Sequence, residues 1–392
     1  MRGVKSRRLL VIASVSGIAL MLTGCSGSNG STASGCKEIA IASIGPTTGL
    51  DNGSGRPPRD AAELAVRQYN AKHPDCPVGL LTYDTQGIPE NASNLADGIA
   101  ADTRIVGVVG PTFSGETAAM MPAFEDAGLP VITGSATNPT LSQQGWKTFH
   151  RIVGNDATQG PAAAVYITSE LGSKRVAVID DTGLYGKSIG DLTATSLVKL
   201  GATVALRTTV DPESVDYSAA VSALIDADAD AIYFGGVSAP GARLVRQIRD
   251  AGITAPFIGG DGINSGDFVT GSGGAAVGAR FTCPCINASR PIGKAQIAFS
   301  KAYSDVYGIA PGYFAAEYYD AAKLLLDAIE DGQGTRSGIQ TWLKTANMKG
   351  LTKQIEFGKT GEVKAGSVFI FEVTPEGEFN QVAEVIGKKI LK

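Results

Sequence analysis

From Glu38 onward the chain alternates short apolar runs with longer amphipathic stretches. The runs at 39–44, 78–83, 105–109, 176–179, 231–234 and 257–258 have the largely apolar character of strands buried on both faces of a parallel sheet. Between them, Ala61, Leu64, Ala65 and Tyr69 fall on one helical face, and Leu244, Val245 and Ile248 on another. Ala321, Leu324, Leu325 and Ala328 repeat that spacing later. This alternation predicts an α/β fold with right-handed crossovers. One α/β unit runs from about Lys37 to Arg151, and a second opens near Val153. After Cys283 the pattern turns helical over 291–307 and 312–330, then strand-like at 368–373 and 379–385. Periodicity alone does not assign these last segments to either unit.

The first 24 residues follow a different pattern. Arg2, Lys5, Arg7 and Arg8 precede an uncharged stretch at 9–22, which Ser14, Ser16 and Gly17 interrupt. It is shorter than the roughly 20 apolar residues needed to span a bilayer, so residues 1–24 are expected to be a secretory signal peptide. Its end, Leu22-Thr23-Gly24-Cys25, resembles a bacterial lipobox, which implies that Cys25 is lipidated and becomes the mature N-terminus. Residues 25–36 then form a Gly/Ser tether, flexible by composition and anchored by lipid. The remaining 368 residues are too many for one small core and predict two domains. The full chain carries −4, and without the four basic leader residues the side-chain total is −8. No Lys/Arg run survives in the mature part, which argues against nucleic-acid binding.

Besides Cys25 there are Cys36, Cys76, Cys283 and Cys285. An even number in an exported chain favours disulfides, and three pairings are possible. Cys36 and Cys76 each precede a strand, and those strands should be sheet neighbours, while Cys283-Pro284-Cys285 is able to close on itself. The expectation is therefore Cys36–Cys76 and Cys283–Cys285. A metal site would need further Cys or His ligands, and His73 and His150 are both remote in sequence.

An ordered set of local motifs is similar to the periplasmic solute-binding family for leucine, isoleucine and valine. It comprises Ile44-Gly45-Pro46, Gly110-Pro111-Thr112-Phe113-Ser114-Gly115, Ser135-Ala136-Thr137-Asn138-Pro139 and Phe149-His150-Arg151. Gln159-Gly160-Pro161-Ala162-Ala163, Tyr185-Gly186, Tyr233-Phe234-Gly235-Gly236 and Gly259-Gly260-Asp261-Gly262 complete it. The resemblance implies two doubly wound α/β lobes with parallel sheets, joined by three hinge crossings, with ligand caught between them. By that analogy lobe 1 is 37–152 with 283–352, and lobe 2 is 153–282 with 353–392. It also implies an extracytoplasmic protein, expected as a monomer, that hands an amino acid to a membrane ABC permease, with no cofactor or metal.

A free amino acid needs donors for its carboxylate and an acceptor for its ammonium. Ser114 follows a strand and opens a helical stretch, where a hydroxyl and free amides suit an anion, although it could equally be an N-cap. Ser135, Ala136 and Thr137 open a loop after the strand at 130–132, a composition also common in plain turns. The resemblance assigns these segments to the α-carboxylate. Asp261, in a glycine-flanked turn after a strand, is the candidate acceptor for the ammonium from the second lobe, and Tyr185 matches a tyrosine that covers the ligand. Positions aligned with Ser54 and Val237 are aromatic in leucine-type binders, so the pocket walls, with Phe113 beside them, differ here. The unusual run Asp51-Asn52-Gly53-Ser54-Gly55-Arg56-Pro57-Pro58 reads as a loop.

An enzyme is the second class. With two histidines, no P-loop and no Gly-x-Ser-x-Gly elbow, it has little in the sequence to support it. A ligand-sensing subunit for an amide or other small polar solute is the third; no signalling domain is fused to the chain.

Overall fold

The computed structural model describes residues 38–364 and 366–392. The leader, the tether, Cys25 and Cys36 lie outside the described residues.

Five short strands form the first sheet: β1 (Ala40–Gly45), β2 (Gly79–Asp84), β3 (Ile105–Val109), β4 (Val131–Thr133) and β5 (Phe149–Arg151). All are parallel, in the order β2-β1-β3-β4-β5. The helices α1 (Asn52–Lys72), α2 (Pro89–Ala101) and α3 (Ser114–Asp126) supply the crossovers. β1 and β3 are buried along their whole length, which explains why they read as continuous apolar runs.

The second unit repeats the plan with α4 (Asp156–Val165), β6 (Arg175–Asp180), α5 (Leu184–Lys199), β7 (Thr203–Thr209) and α6 (Ser218–Ala227). It continues with β8 (Ala231–Gly235), α7 (Ser238–Asp250), β9 (Phe257–Gly259), α8 (Gly266–Gly271) and β10 (Arg280–Cys283). Next come α9 (Lys294–Tyr307), α10 (Ala315–Glu330) and α11 (Arg336–Leu343). The α9 and α10 helices pack on α1, and α10 and α11 pack on β3, so this segment returns to the first sheet. Leu324, Leu325 and Ala328 of α10 are fully buried. A small ribbon of β11 (Asn347–Lys349) and β12 (Gln354–Glu356) follows. The chain then goes back to the second sheet through β13 (Val368–Val373), β14 (Phe379–Ile386) and β15 (Lys389–Leu391). It thus passes between the sheets three times.

Two details depart from expectation. The second sheet, ordered β15-β14-β13-β10-β9-β8-β6-β7, is mixed: β13, β14 and β15 run antiparallel to their neighbours. The turn Pro375-Glu376-Gly377, with Gly377 at φ 79°, is short enough to make a hairpin but far too short for a parallel crossover. The stretch read as a loop before Ala61 is the start of α1, which begins at Asn52 and carries Pro57 and Pro58 inside. Gly55 permits this, because a Cβ there would collide with the Pro46 carbonyl. Cys283 and Cys285 are joined as a disulfide, and both are buried. Cys76 is engaged in a disulfide, while its expected partner Cys36 is outside the described residues.

Candidate functional site

The carboxyl ends of β3, β4, β8 and β9 face one another across a cleft, the place where open α/β sheets bind ligands. Phe113, Ser114, Ser135 and Tyr313 from one side meet Tyr185, Val237, Asp261 and Gly262 from the other around a cavity of about 10 Å³. Beyond it lies a wider chamber of about 400 Å³, which shares Phe113, Tyr185 and Val237 as wall. The lips of the cleft touch. Asp267 accepts a hydrogen bond from the Gly53 amide at 2.6 Å, and Asp51 accepts one from the Ala239 amide at 3.0 Å. The Asn138 side chain also donates to the Leu184 carbonyl at 2.8 Å.

Asp261 begins a one-turn helix, Asp261–Ile263, immediately beyond β9. It is 1 % exposed, so this glycine-flanked turn is buried and not at the surface. Its Oδ1 accepts from the Tyr185 hydroxyl at 2.8 Å and from Gln159 Nε2 at 2.6 Å. The Tyr185 hydroxyl in turn accepts from the Gly262 amide at 3.0 Å. The flanking glycines are needed for this approach. A Cβ on Gly260 would run into the Tyr185 hydroxyl, and one on Gly262 would lie 2.7 Å from its ring.

A second buried carboxyl, Asp156 at the start of α4, is coupled to Asp261 through Gln159, whose Nε2 also donates to Asp156 Oδ1 at 3.0 Å. Burial, then the charge of Asp261, pushes Asp156 far above the usual carboxylate range, and burial raises Asp261 as well. Among the described residues, Gln159 Oε1 is buried without any hydrogen-bond partner, and the Thr137 hydroxyl has none but the Asp156 carboxyl beside it, whose ionised form it favours. Thr137 is tied to this helix by its carbonyl, which accepts from the Asp156 amide at 2.9 Å.

The first-lobe candidates divide. Ser114 lines the cavity, but it is the first helical residue and not the cap; Phe113 precedes it as N-cap, its amide bonded to Glu116. The Ser114 hydroxyl accepts from the Asn138 amide at 3.1 Å. Ser135 also lines the cavity, yet its hydroxyl is spent on the Thr112 carbonyl at 2.7 Å and lies 2.9 Å from the Tyr318 hydroxyl. The Ala136 amide donates to Thr133 Oγ1 at 3.0 Å. Ser54 is fully buried in the first turn of α1 and is not among the cavity's lining residues, whereas Phe113 and Val237 are.

Sequence reasoning missed Asp156, Gln159 and Tyr313. The run Asn155-Asp156-Ala157-Thr158-Gln159 carried a usable signal, since an N-cap followed by an acid one residue past a hinge faces the cleft. Tyr313 had none. It enters from the loop before α10, where Phe314 takes a left-handed backbone at φ 45°.

The sequence profile of the periplasmic binding protein family matches residues 38–378. The chain belongs to that family. Periplasmic binding proteins are extracytoplasmic substrate-binding components of transport, and no described helix of this one is long and apolar enough to cross a membrane. It is 30 % identical to a Leu/Ile/Val-binding protein homolog of Brucella melitensis, over 86 % of this chain and 91 % of that one. An amino acid binding protein of Pseudomonas aeruginosa is 28 % identical over 88 % and 92 %. Among solved structures, a leucine binding protein from Thermotoga maritima superposes with a TM-score of 0.81 at 28 % identity, covering 88 % of this chain and 98 % of that one. A branched-chain amino acid transporter substrate binding protein from Streptococcus pneumoniae, in complex with isoleucine, gives 0.80 at 26 %, covering 88 % and 99 %.

Proposed function

We propose that this periplasmic binding protein is a lipoprotein, held to the cell membrane through Cys25, that captures an amino acid between its lobes and delivers it to an ABC importer. A branched-chain or similar aliphatic amino acid is the expected ligand. One observation carries the reading. Two carboxyls, Asp156 and Asp261, are buried together, Arg151 is the cation among the described residues that acts on Asp156, and Gln159 Oε1 between them has no partner. An α-ammonium answers the acids, and Thr137 with Ser114 at the start of α3 suits the α-carboxylate. Tyr185 covers the pair, and Phe113, Val237 and Tyr313 form the wall against the side chain. The names of the relatives in Brucella and Thermotoga support the same ligand class. In this reading the lobes are 37–152 with 283–352 and 153–282 with 353–392, and the protein works as a monomer.

Isothermal titration of the purified protein with leucine, isoleucine, valine and 4-methylpentanoate tests it. Saturable binding of an amino acid, and none of its des-amino analogue, is the expected result; equal binding of both overturns the ammonium assignment. The anchor has its own test, since Cys25→Ala should abolish lipid labelling and membrane fractionation.

A further inference from the structure

We propose that Arg151, braced by Glu362, is a positioning residue that locks the ligand loop 135–138 to the hinge. The proposal rests on the reading of that loop as part of the amino-acid site. Arg151 ends β5, at the first passage between the sheets, and its side chain is completely buried. Its Nη1 donates to the carbonyls of Ala136 and Asn138, each at 2.8 Å. Those two carbonyls flank Thr137, the residue whose hydroxyl meets the Asp156 carboxyl. On the other edge of the fork, Nε reaches Glu362 Oε2 at 3.3 Å and Nη2 pairs with Oε1.

Glu362 lies beyond β12, on the third passage between the sheets, 211 residues from Arg151 in sequence. It also accepts from the Asn155 side chain at 3.1 Å, and Asn155 caps α4 by accepting from the Ala157 amide. The Arg151 amide donates to the Gly361 carbonyl at 2.8 Å. Two hinge passages and the ligand loop therefore meet at one guanidinium, and the first turn of α4 joins them through Glu362. Only a planar fork reaches two carbonyls and a carboxylate at once, so lysine keeps the charge here and loses the geometry. A buried cation without Glu362 would be uncompensated, which makes the two residues one device.

The same charge acts on Asp156. That carboxyl faces Asp261, Arg151, Gln159 and Thr137, and its charge is felt by the Tyr185 and Tyr233 hydroxyls. Thr137 and Gln159 favour the ionised form that an ammonium requires by hydrogen bonding, and Arg151, the one cation of these groups, favours it by its charge. Arg151 thus sets where Thr137 stands and adds to the groups that ease the proton from Asp156.

The test uses the full chain with Arg151→Lys, Arg151→Gln and Glu362→Gln. Amide hydrogen exchange without ligand should quicken at least tenfold across 135–138 in all three, with β6 and β8 unchanged. Leucine affinity, by titration, should fall roughly tenfold in each. Its pH profile should move to higher pH in Arg151→Gln and stay in place in Arg151→Lys, which keeps the charge. Uniform quickening over both sheets, or an unaltered loop, overturns the positioning role, and an unmoved profile in Arg151→Gln overturns the electrostatic one. If the wild type binds no leucine, the amino-acid reading fails in its expected form while the exchange measurement still decides this proposal.

Discussion

The inner cavity and the outer chamber share Phe113, Tyr185 and Val237, yet they treat their carboxyl groups in opposite ways. In the outer chamber Asp181 accepts the Gly183 amide at 3.1 Å and the Val237 amide at 2.9 Å. Asp51 holds the Ala239 amide, and Glu116 takes the Phe113 amide and the Thr85 hydroxyl. Burial raises all three, Asp51 and Asp181 to about 6 and Glu116 to about 7. Within the inner site Asp156 and Asp261 are raised by burial too, but there the partners of Asp156 are the side chains of Gln159 and Thr137, and among the described residues Gln159 Oε1 has nothing to bond. A shifted pKa therefore does not separate the two regions, whereas unmet hydrogen-bonding capacity does. Acids that already hold helix amides build the walls; those with capacity left over read the ligand.

Mutating one member on each side tests that contrast. The largest expected effect is from Asp261→Ala, which should weaken amino-acid binding by roughly a hundredfold or more, because it strands the ammonium in a buried site. It should also lower the melting temperature, since Gln159 and Tyr185 lose their acceptor. Near-native affinity by titration would erase the distinction between the regions.

Thr137→Ala should cost about tenfold, the scale of one hydrogen bond to a charged group, with only a small loss of fold stability because, among the described residues, that hydroxyl turns to the Asp156 carboxyl alone. Asp181→Asn should do the reverse. Denaturant titration should show a loss of about 1–2 kcal/mol from a weakened helix-terminal acceptor, with affinity within about twofold of wild type. A large affinity loss in Asp181→Asn would move the outer chamber into the recognition site.

The smallest effect is one of pH. Asp156, Glu116 and Glu317 have folded pKa values above their unfolded ones, the last two at about 7. The folded state then binds protons that the unfolded chain has already lost, so stability falls as pH rises toward 8. Buried His150, lowered to about 4, acts in the opposite sense, but only below its ordinary 6.5. Melting temperature should therefore drop by a few degrees between pH 6.5 and 8. Saturating amino acid should flatten only the part due to Asp156, with protons released on binding, and Asp156→Asn should abolish that release. No proton release from wild type would place the ligand elsewhere.

The sequence made the layered plan legible because buried parallel strands leave unbroken apolar runs: 105–109 matches β3, and 368–373 matches β13. β7 escaped because it is an edge strand with alternating exposure and no such run. Asp261 was singled out by its place beyond a strand end and Tyr185 by the family resemblance, and both line the inner cavity. The state of Ser135 was not, because the group that fixes its hydroxyl, Tyr318, lies 183 residues away on α10. Arg151 was visible only as part of a motif; its role exists because the chain crosses the hinge again at Glu362. Periodicity reports which face is buried and is silent on which distant group a polar atom will meet.

The two lip contacts, Asp51 on Ala239 and Asp267 on Gly53, are reciprocal: each lobe offers a carboxylate to the first turn of a helix in the other. Neither acid belongs to the inner cavity, so their strength is the same whichever amino acid is held. Both favour the closed state whichever solute lies inside. Choice of solute inside and closure at the mouth thereby rest on separate residues, so evolution could tune how firmly the lobes close without altering which solute is chosen.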